Sequence, residues 1–578
     1  MRLRQRYPVN GEQAFEADMP PLLRRIYASR GITGPEALGR KLSELPAPSG
    51  FRGLDRALDL LEQAVRTQAR VLIVGDFDAD GATSTVLGVL ALKAFGLLQV
   101  DFLVPNRFDY GYGLSPEIVE LAARGRPDLL ITVDNGISSI QGVKAARDHG
   151  IRVLVTDHHL PGAVLPDADA IVNPNQPGCR FPSKNLAGVG VVFFLLTALR
   201  ARLRESGWFG SQGITEPNMA NWLDLVALGT VADVVPLDRV NRVLVYQGIQ
   251  RIRAGVCRPG MLALLDIAGR DHRRLVASDL GFAVGPRLNA AGRLDDMTHG
   301  ILCLLEDDPG RARRLAVELD QLNSDRRQIE VAMQQEALAA LERLHLDPST
   351  LPWGLCLYDP DWHQGVVGLL ASRIKERFHR PVIAFGREGS GALKGSARSI
   401  PGLHIRDALD AVATRHPELV SKFGGHAMAA GLSLPESNFE SFSAAFDREV
   451  RRQLTPAELE EEILFDGELA PGEINLSTAH LLQNAGPWGQ HFPEPLFLGR
   501  FVVLQQRCLS GKHLKLVLAI EGDPDFTVDA IAFNVAGEFL SGDLDQVDLL
   551  YRLAVNVWRG RESVQLLIER ILSGEEIL

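Results

Sequence analysis

The sequence has few cysteines and no long apolar run. Its 578 residues include five cysteines at scattered positions without a CxxC pair, which is typical of a reducing cytoplasm and argues against a zinc ribbon. No apolar stretch reaches the ~18 residues that a membrane-spanning helix requires. The first residues, MRLRQRYPVNGEQ, lack the apolar core of a secretory signal. We therefore expect a cytoplasmic protein.

Basic charge is also in deficit. The chain has 61 Lys and Arg residues against 72 Asp and Glu residues, and its formal net charge is −11. This balance argues against a surface coated with basic charge, although a local basic groove for nucleic acid remains compatible with it. Hydrophobic residues make up 46% and charged residues 23% of the chain, as in ordinary globular proteins. The length predicts several domains.

The pattern of apolar segments predicts an α/β protein with five regions. They are an N-terminal appendage at 1–50, a parallel-sheet domain at 51–240, a helical connector with a long linking helix at 241–350, a second, smaller α/β domain at 351–455, and an OB-like β-barrel at 456–578. The barrel is predicted from short strands that include EILFDGEL and RFVVLQQRCL. Barrels of this type often bind single strands, and docking of a partner protein is the alternative.

The first α/β domain alternates apolar strands with helices, which predicts a parallel sheet covered on both faces. The candidate strands are residues 71–74, 100–104, 129–133, 152–156 and 168–172. In such sheets ligands bind at the carboxyl ends of the strands. Three of these strands are followed directly by acids or histidines, so we expect those side chains to meet at one edge.

The segment GDFDADG, which follows the first of these strands, carries Asp76, Asp78 and Asp80. Three carboxylates within five residues repel one another and raise each other's pKa unless a hard divalent cation binds them. A solvated acidic turn is the alternative. An EF-hand calcium loop would continue to a Glu at its twelfth position, whereas this segment becomes an apolar helix.

Two further strands end in VDNG, which contains Asp134, and in the triplet Asp157-His158-His159. Asp233, in the segment ADVVP, follows an apolar helix and precedes a proline. A lone Asp in that position is usually a cap or turn residue, so its sequence context alone does not identify it as a ligand.

Arginines near predicted strand ends are candidates for phosphate binding. Arg107, in PNRFDYGYGLS, suits a phosphate because its planar guanidinium binds oxyanions in a bidentate manner. Pairing with Asp101 or Asp109 fits the spacing equally well. Arg287 and Arg293 lie in GPRLNAAGRLDD, among arginine clusters that belong either to a solvated face or to a surface that follows a phosphate backbone.

The second α/β domain contains two segments of interest. KGSARS, which includes Ser396 and Arg398, is predicted at a strand end. FGGHAMAAG contains Gly424 and Gly425, which permit close backbone approach, followed by His426. For a lone GGH, a core histidine is the commoner explanation of His426.

Taken in order, GDFDADG, VDNG, DHH and ADVVP resemble the four motifs of the DHH phosphoesterase superfamily. VPNRFDYGYGLS, GPRLNAAGRLDD, KGSARS and FGGHAMAAG extend the resemblance to the RecJ single-strand-specific 5′→3′ exonucleases. The resemblance covers about residues 50–450 and implies a DHH domain at 51–240 and a substrate-binding DHHA1 domain at 351–455. The implied activity is two-metal hydrolysis of single-stranded DNA to 5′-mononucleotides, in DNA recombination and repair.

The resemblance also implies a set of metal ligands for two Mn²⁺ or Mg²⁺ ions. One ion would be held by Asp78 and Asp134, and the other by Asp80, Asp134, His158 and Asp233. Asp76 is either a direct ligand or an outer residue, because many superfamily members carry a His further upstream in its place. Asp157 would orient His158 or its loop. His159 would face the scissile phosphate as a donor or general acid, and it joins Asp80 and Asp134 as a catalytic residue.

The resemblance implies substrate residues in the same way. Phosphates would be bound by Ser396, Arg398, Gly424, Gly425 and His426. Arg107 would hold a 5′-terminal phosphate, and Arg287 or Arg293 would follow the strand. The implied partners are single-stranded DNA, single-strand-binding protein and a RecQ-type helicase, and we expect a monomer.

Two other functions are compatible with the motifs. One is a DHH phosphodiesterase of short oligoribonucleotides or cyclic dinucleotides, but the additional β region at 456–578 favours a longer polymer. The other is a non-catalytic DHH-fold replication scaffold. Such a scaffold is expected to lose metal ligands, whereas every candidate ligand is present here.

Overall fold

The computed structural model of the chain describes residues 2–8, 15, 18–105, 113–344, 351–388, 391–425, 427–520, 523–535 and 544–572. Arg107 and His426, two of the predicted substrate residues, lie outside these ranges. The chain divides into two compact units. The large unit contains residues 6–324 and 466–572, and the small unit contains residues 1–5, 325–465 and 573–578.

The strands, in chain order, are β1 (Arg2–Gln5), β2 (Val71–Gly75), β3 (Val100–Leu103), β4 (Leu129–Val133), β5 (Arg152–Thr156), β6 (Ala170–Val172), β7 (Leu355–Tyr358), β8 (Val382–Glu388), β9 (Ala392–Arg398), β10 (Lys422–Gly425), β11 (Ala429–Pro435), β12 (Glu462–Phe465), β13 (Phe497–Leu509), β14 (His513–Ile520), β15 (Asp523–Ala532), β16 (Gln546–Trp558) and β17 (Arg561–Leu572).

The α-helices of eight or more residues are Pro21–Ala28, Leu54–Thr67, Ala79–Ala94, Pro116–Ala123, Ile140–Asp148, Gly188–Glu205, Leu223–Ala232, Arg239–Arg253, Pro259–Ile267, Gly285–Leu294, Thr298–Leu305, Pro309–Arg343, Gln364–Phe378, Ile405–Arg415, Phe439–Gln453 and Leu476–Ala485. The apolar segment that begins at Leu186 forms the helix Gly188–Glu205, whose first half is buried. Among the described helices, none is both long and apolar enough to cross a membrane.

The large unit contains the predicted parallel sheet, in the order β3-β2-β4-β5-β6. All neighbouring strands in it run parallel. Side chains on both faces of β4 are buried, which explains why this strand is apolar throughout rather than alternating. The strand predictions at 129–133 and 152–156 are confirmed at both ends.

The large unit also contains the predicted barrel, which closes in the order β13-β14-β15-β17-β16. All of its neighbouring strands are antiparallel except β15 and β17. The assignment of EILFDGEL to the barrel is wrong. Its strand β12 pairs with β1 in a parallel two-stranded sheet of the small unit, and the helix Leu476–Ala485 separates it in sequence from β13.

The small unit contains a mixed sheet in the order β10-β11-β9-β8-β7. Only β7 and β8 are parallel; the other neighbours are antiparallel. Its core includes the aromatic residues Phe385, Phe442 and Phe446. KGSARS lies at the carboxyl end of β9: residues 394–398 are the last five of that strand, where alternate residues are buried.

Candidate metal centre

Three strand ends bring acids to one edge of the parallel sheet. Asp76, Asp134 and Asp157 are the first residues after β2, β4 and β5, which are neighbours in the sheet. They are 5%, 2% and 1% exposed. The expectation that these strands place acids at one edge is confirmed, because parallel neighbours end on the same side.

Asp78 and Asp80 are positioned by the start of the helix Ala79–Ala94. Asp78 Oδ1 caps this helix and accepts hydrogen bonds from the amides of Asp80 and Gly81, both at 2.9 Å. Both oxygens of Asp80 accept amide hydrogens from the first turn of another helix, Gly188 N at 2.6 Å and Val189 N at 3.0 Å. A helix N-terminus favours a carboxylate there.

Gly188 is required by the close approach of its helix to the acids. A Cβ at this position would lie 2.6 Å from Asp134 Cβ and 2.9 Å from Asp134 Oδ1. Asp134 itself has a φ of 61°, which is uncommon for a residue other than glycine. The site therefore combines a strained backbone with a neighbour that has no side chain.

Possible ligand atoms converge in three overlapping groups. In each group the atoms lie within 4.8 Å of one another, and the groups are Asp76, Asp78 and Asp134; Asp80, His158 and Asp233; and Asp134, His158 and His159. Asp134 belongs to two of the groups, as a residue shared by two ions would. Asp233 lies at the end of the helix Leu223–Ala232 and joins the site, although its sequence context alone did not identify it as a ligand.

His158 lies close to two of the acids. Its Nε2 lies 3.0 Å from Asp134 Oδ1 and 3.5 Å from Asp233 Oδ2. Within the described residues, these two buried oxygens accept no hydrogen bond. Buried carboxylate oxygens without donors are costly unless a cation binds them.

The electrostatics of the cluster are unfavourable without a cation. Burial, followed by the charge of Asp78, raises the pKa of Asp76 and that of Asp80 to about 7. Burial, followed by the charge of Asp80, raises the pKa of Asp134 and of Asp233 well above the ordinary value. A donor set of carboxylates with one or two imidazoles and no thiolate suits Mg²⁺ or Mn²⁺. The residues present therefore fit two such ions.

Asp157 orients His159 rather than the ring of His158. Asp157 Oδ1 accepts hydrogen bonds from the amides of His158 and His159 and lies 2.8 Å from His159 Nδ1. Burial disfavours both the charged carboxylate of Asp157 and the charged ring of His159. The hydrogen bond and charge between the partners outweigh it, so the pKa of Asp157 is lowered and that of His159 is raised. This pair favours an imidazolium at His159.

Three asparagines that the sequence analysis did not single out support these loops. Asn289 Oδ1 accepts the amide hydrogen of Ala79 at 2.7 Å, at the start of the helix that carries Asp80. Asn173 Nδ2 donates to His159 O at 2.9 Å, and Asn175 Nδ2 donates to His158 O at 2.6 Å. Asn289 lies within the motif GPRLNAAGRLDD, which could have indicated it as a functional residue. Asn173 and Asn175 lie in no such motif.

The two arginines of GPRLNAAGRLDD differ in their surroundings. Arg287 is buried, and its Nη2 lies 2.8 Å from Asp320 Oδ1. Arg293 is exposed, near the end of the same helix, Gly285–Leu294. Of the two, Arg293 has the accessibility that contact with a nucleic-acid backbone requires.

In the small unit, predicted substrate residues share one sheet. Ser396 on β9 is opposite Gly431 on β11, which in turn is opposite Gly424 on β10. Arg398 Nη1 donates to Ser396 Oγ at 2.9 Å, and its Nε donates to Ser372 Oγ at 3.2 Å. The structure thus brings Ser396, Arg398 and the Gly424 backbone to one sheet, on β9 and β10, with β11 between them.

Three segments of the chain match models of known domain families. Residues 70–230 match the DHH family, N-terminal domain; residues 353–452 match the DHHA1 domain; and residues 465–570 match the RecJ OB domain.

Curated relatives and solved structures agree with these matches. The chain is 56% identical over 557 residues to the single-stranded-DNA-specific exonuclease RecJ of Escherichia coli, which covers 96% of both chains. It is 33% identical over 537 residues to RecJ of Thermus thermophilus, covering 92% of this chain and 72% of that relative. Its fold is similar to crystal structures of RecJ from Thermus thermophilus in complex with Mn²⁺ (TM-score 0.77, 30% identity, 99% of this chain and 79% of the other) and with Mg²⁺ (TM-score 0.72, 29% identity, 99% and 78%).

Proposed function

Because the chain belongs to the RecJ family of single-stranded-DNA-specific exonucleases, we propose that it removes mononucleotides from the 5′ end of single-stranded DNA. The enzyme is a metal-dependent hydrolase with two divalent cations, Mn²⁺ or Mg²⁺, as cofactors. The observation that carries the proposal is the convergence of the buried Asp80 and Asp134 with the partly buried His158 and Asp233 at the carboxyl edge of a parallel sheet.

Asp78 and Asp134 would hold one ion, with Asp76 beside them. Asp80, Asp134, His158 and Asp233 would hold the other, and Asp134 would be shared. Two bound ions provide Lewis-acid activation of a water and stabilisation of the charge that develops in phosphodiester hydrolysis. The protein's own contribution is to keep these oxygens in place, through the amides that bind Asp78 and Asp80.

His159 is the group best placed to handle a proton. Asp157 Oδ1 lies 2.8 Å from its Nδ1, and this contact outweighs burial and raises the pKa of His159, which favours the protonated ring. In our proposal this proton is donated to an oxygen of the scissile phosphate, either to stabilise its charge or to protonate the leaving group.

We assign phosphate binding to Ser396, Arg398 and the Gly424-Gly425 backbone. The hydrogen bonds of Arg398 to Ser396 and Ser372 hold its guanidinium in one orientation, as oxyanion recognition requires. His426 would complete this set, and Arg107 would bind the 5′-terminal phosphate and set the polarity. Arg293 would follow the strand.

The cellular setting rests on resemblance to the family. We propose that the enzyme acts in the cytoplasm, as a monomer, in DNA recombination and repair, together with single-strand-binding protein and a RecQ-type helicase. Single-stranded DNA is the substrate that fits its relatives.

The test is Mn²⁺-dependent degradation of single-stranded DNA labelled separately at each end. We expect mononucleotides from the 5′ end, none from a blunt duplex, and loss of activity in Asp134→Asn. A matched control is Asp167→Asn, since Asp167 is 92% exposed and pairs with Arg147 away from the ligand groups. If the wild type cleaves dinucleotides but leaves single-stranded DNA intact, phosphodiester hydrolysis is supported and the assignment of DNA as substrate is refuted.

A further inference from the structure

The turn that follows Asp233 has an unfavourable backbone conformation. Val234 has a φ of 59°, a region that β-branched residues rarely adopt. Its side chain is 63% exposed, so the packing of this side chain does little to hold the conformation. Strained residues persist where the surrounding structure over-determines them, and such positions cluster at functional sites. The Val234 amide donates to Val231 O at 3.2 Å, and contacts of the following residues also hold the turn.

Asn241, on the next helix, provides two of those contacts. Its side chain is fully buried, and Nδ2 donates to Pro236 O at 2.9 Å and to Asn185 O at 2.6 Å. One amide group thus joins the turn after Asp233 to the segment that contains Asn185. Both of its hydrogens are used, so no smaller side chain can replace it in this role.

Asp238 makes a second connection between the same two segments. Its Oδ1 accepts the amide hydrogen of Asn241 at 3.0 Å. Its Oδ2 accepts from Ser183 Oγ at 2.6 Å and from Asn185 Nδ2 at 3.2 Å. We call Ser183, Asn185, Asp238 and Asn241 the clamp.

Each of the two clamped segments leads to a predicted ligand of the same ion. The first contains Asp233 itself. The second continues from Asn185 to Gly188 and Val189, whose amides bind the two oxygens of Asp80. The clamp therefore connects the supports of Asp80 and Asp233, which lie in one group of possible ligands with His158.

We propose that the clamp, with Asn241 as its central member, is a positioning device for the metal centre. It holds the strained turn at Val234 and so fixes Asp233 relative to Asp80. None of its members belongs to the groups of possible ligands. This inference rests on the proposed function in one respect: the ion concerned is the one assigned there to Asp80, Asp134, His158 and Asp233. Metal binding measured without DNA tests it.

The chain offers a matched control on the same helix. Gln247 Nε2 donates to the carbonyl of Arg40 at 2.6 Å, which ties the helix Arg239–Arg253 to the N-terminal region instead of the ligand segments. Gln247→Ala removes a side-chain amide bond of the same kind without altering the clamp. A purely structural role of Asn241 would make the two substitutions equivalent at the metal site.

The experiment compares Asn241→Ala, Ser183→Ala and Gln247→Ala in the full chain. Calorimetric titration of the metal-free proteins with Mn²⁺ gives the affinities, and thermal unfolding in chelator gives the shift in melting temperature. We expect at least about tenfold weaker binding at one of two sites for Asn241→Ala, a smaller loss for Ser183→Ala, and a change within about twofold for Gln247→Ala. If Asn241→Ala does not fold, Ser183→Ala against Gln247→Ala decides the question. Equal Mn²⁺ affinities in the clamp and control variants would overturn the proposal.

A double substitution tests the role of the turn. Glycine adopts a positive φ without strain, so in a Val234→Gly background Asn241→Ala should weaken Mn²⁺ binding by a smaller factor than in the wild type. The same factor in both backgrounds would overturn the idea that the clamp acts by holding Val234. If the wild type binds Mn²⁺ but leaves DNA intact, the proposed function fails while these binding results still decide the clamp.

Discussion

Gly188→Ala tests whether the space at the metal centre is as limited as the structure indicates. The substitution adds one methyl group at the first residue of the helix Gly188–Glu205. That methyl carbon would lie 2.6 Å from Asp134 Cβ. The Gly188 amide also donates to Asp80 Oδ2, so a shift of the helix start changes both carboxylates.

The expected magnitude follows from the distance. Carbon atoms in contact are normally about 3.5–4.0 Å apart, so the helix start or Asp134 must move by roughly 1 Å. Overpacking of this kind costs about 1–3 kcal/mol of unfolding free energy. Disturbing the support of a metal ligand weakens metal binding by about 10–100-fold, which corresponds to about 1.4–2.7 kcal/mol.

The assay is urea unfolding in chelator together with calorimetric Mn²⁺ titration. Gly210→Ala is the matched control, because a Cβ at this exposed helical position would have no atom within 4 Å apart from its chain neighbours and the backbone of its own helix. We expect the control to retain wild-type Mn²⁺ affinity and to be as stable or slightly more stable. Wild-type stability and Mn²⁺ affinity in Gly188→Ala would refute the argument that this glycine is required by close approach.

Three further predictions concern charge and substrate. The pKa of Asp76 and Asp80, at about 7 in the folded state, lies above the unfolded value, so these acids bind more protons when folded. The unfolding free energy in chelator should therefore fall as the pH rises from the ordinary carboxyl pKa of about 4 to about 7 and level off above it; urea titrations should show this slope, and saturating Mn²⁺ should remove it. Asp157→Asn should lower the pKa of His159 and move the basic limb of the pH–rate profile to lower pH, with Mn²⁺ affinity within about threefold; an unmoved limb would contradict the role of His159. Arg398→Lys should raise KM for single-stranded DNA by about tenfold and change kcat little, because a lysine cannot replace the oriented fork; a loss confined to kcat would contradict phosphate binding.

Regular elements of the large unit could be predicted because local rules decide them. The strand β4 is apolar at every position, and a strand buried on both faces has no other pattern. The strand β12 was misassigned to the barrel because pairing partners are not encoded locally. Its partner β1 lies near the N-terminus, far from β12 in sequence.

Part of the metal centre could be predicted for the same reason. Asp76, Asp134 and Asp157 directly follow buried parallel strands, and the sheet brings such residues to one edge. Asp233 and Asn289 come from helices that reach the edge only through tertiary packing, so their sequence neighbourhood alone did not identify them. Asp233 was included through the family resemblance.

The sequence by itself determined the strand ends, the acids that follow them and the family motifs, because these depend on residues that are neighbours along the chain. Only the tertiary structure decided how those groups are supported. The amides that bind Asp80, the approach of Gly188 to Asp134 and the clamp around Asn241 all join segments that are distant in sequence. Their contacts depend on helix packing over the sheet edge, which no local pattern specifies.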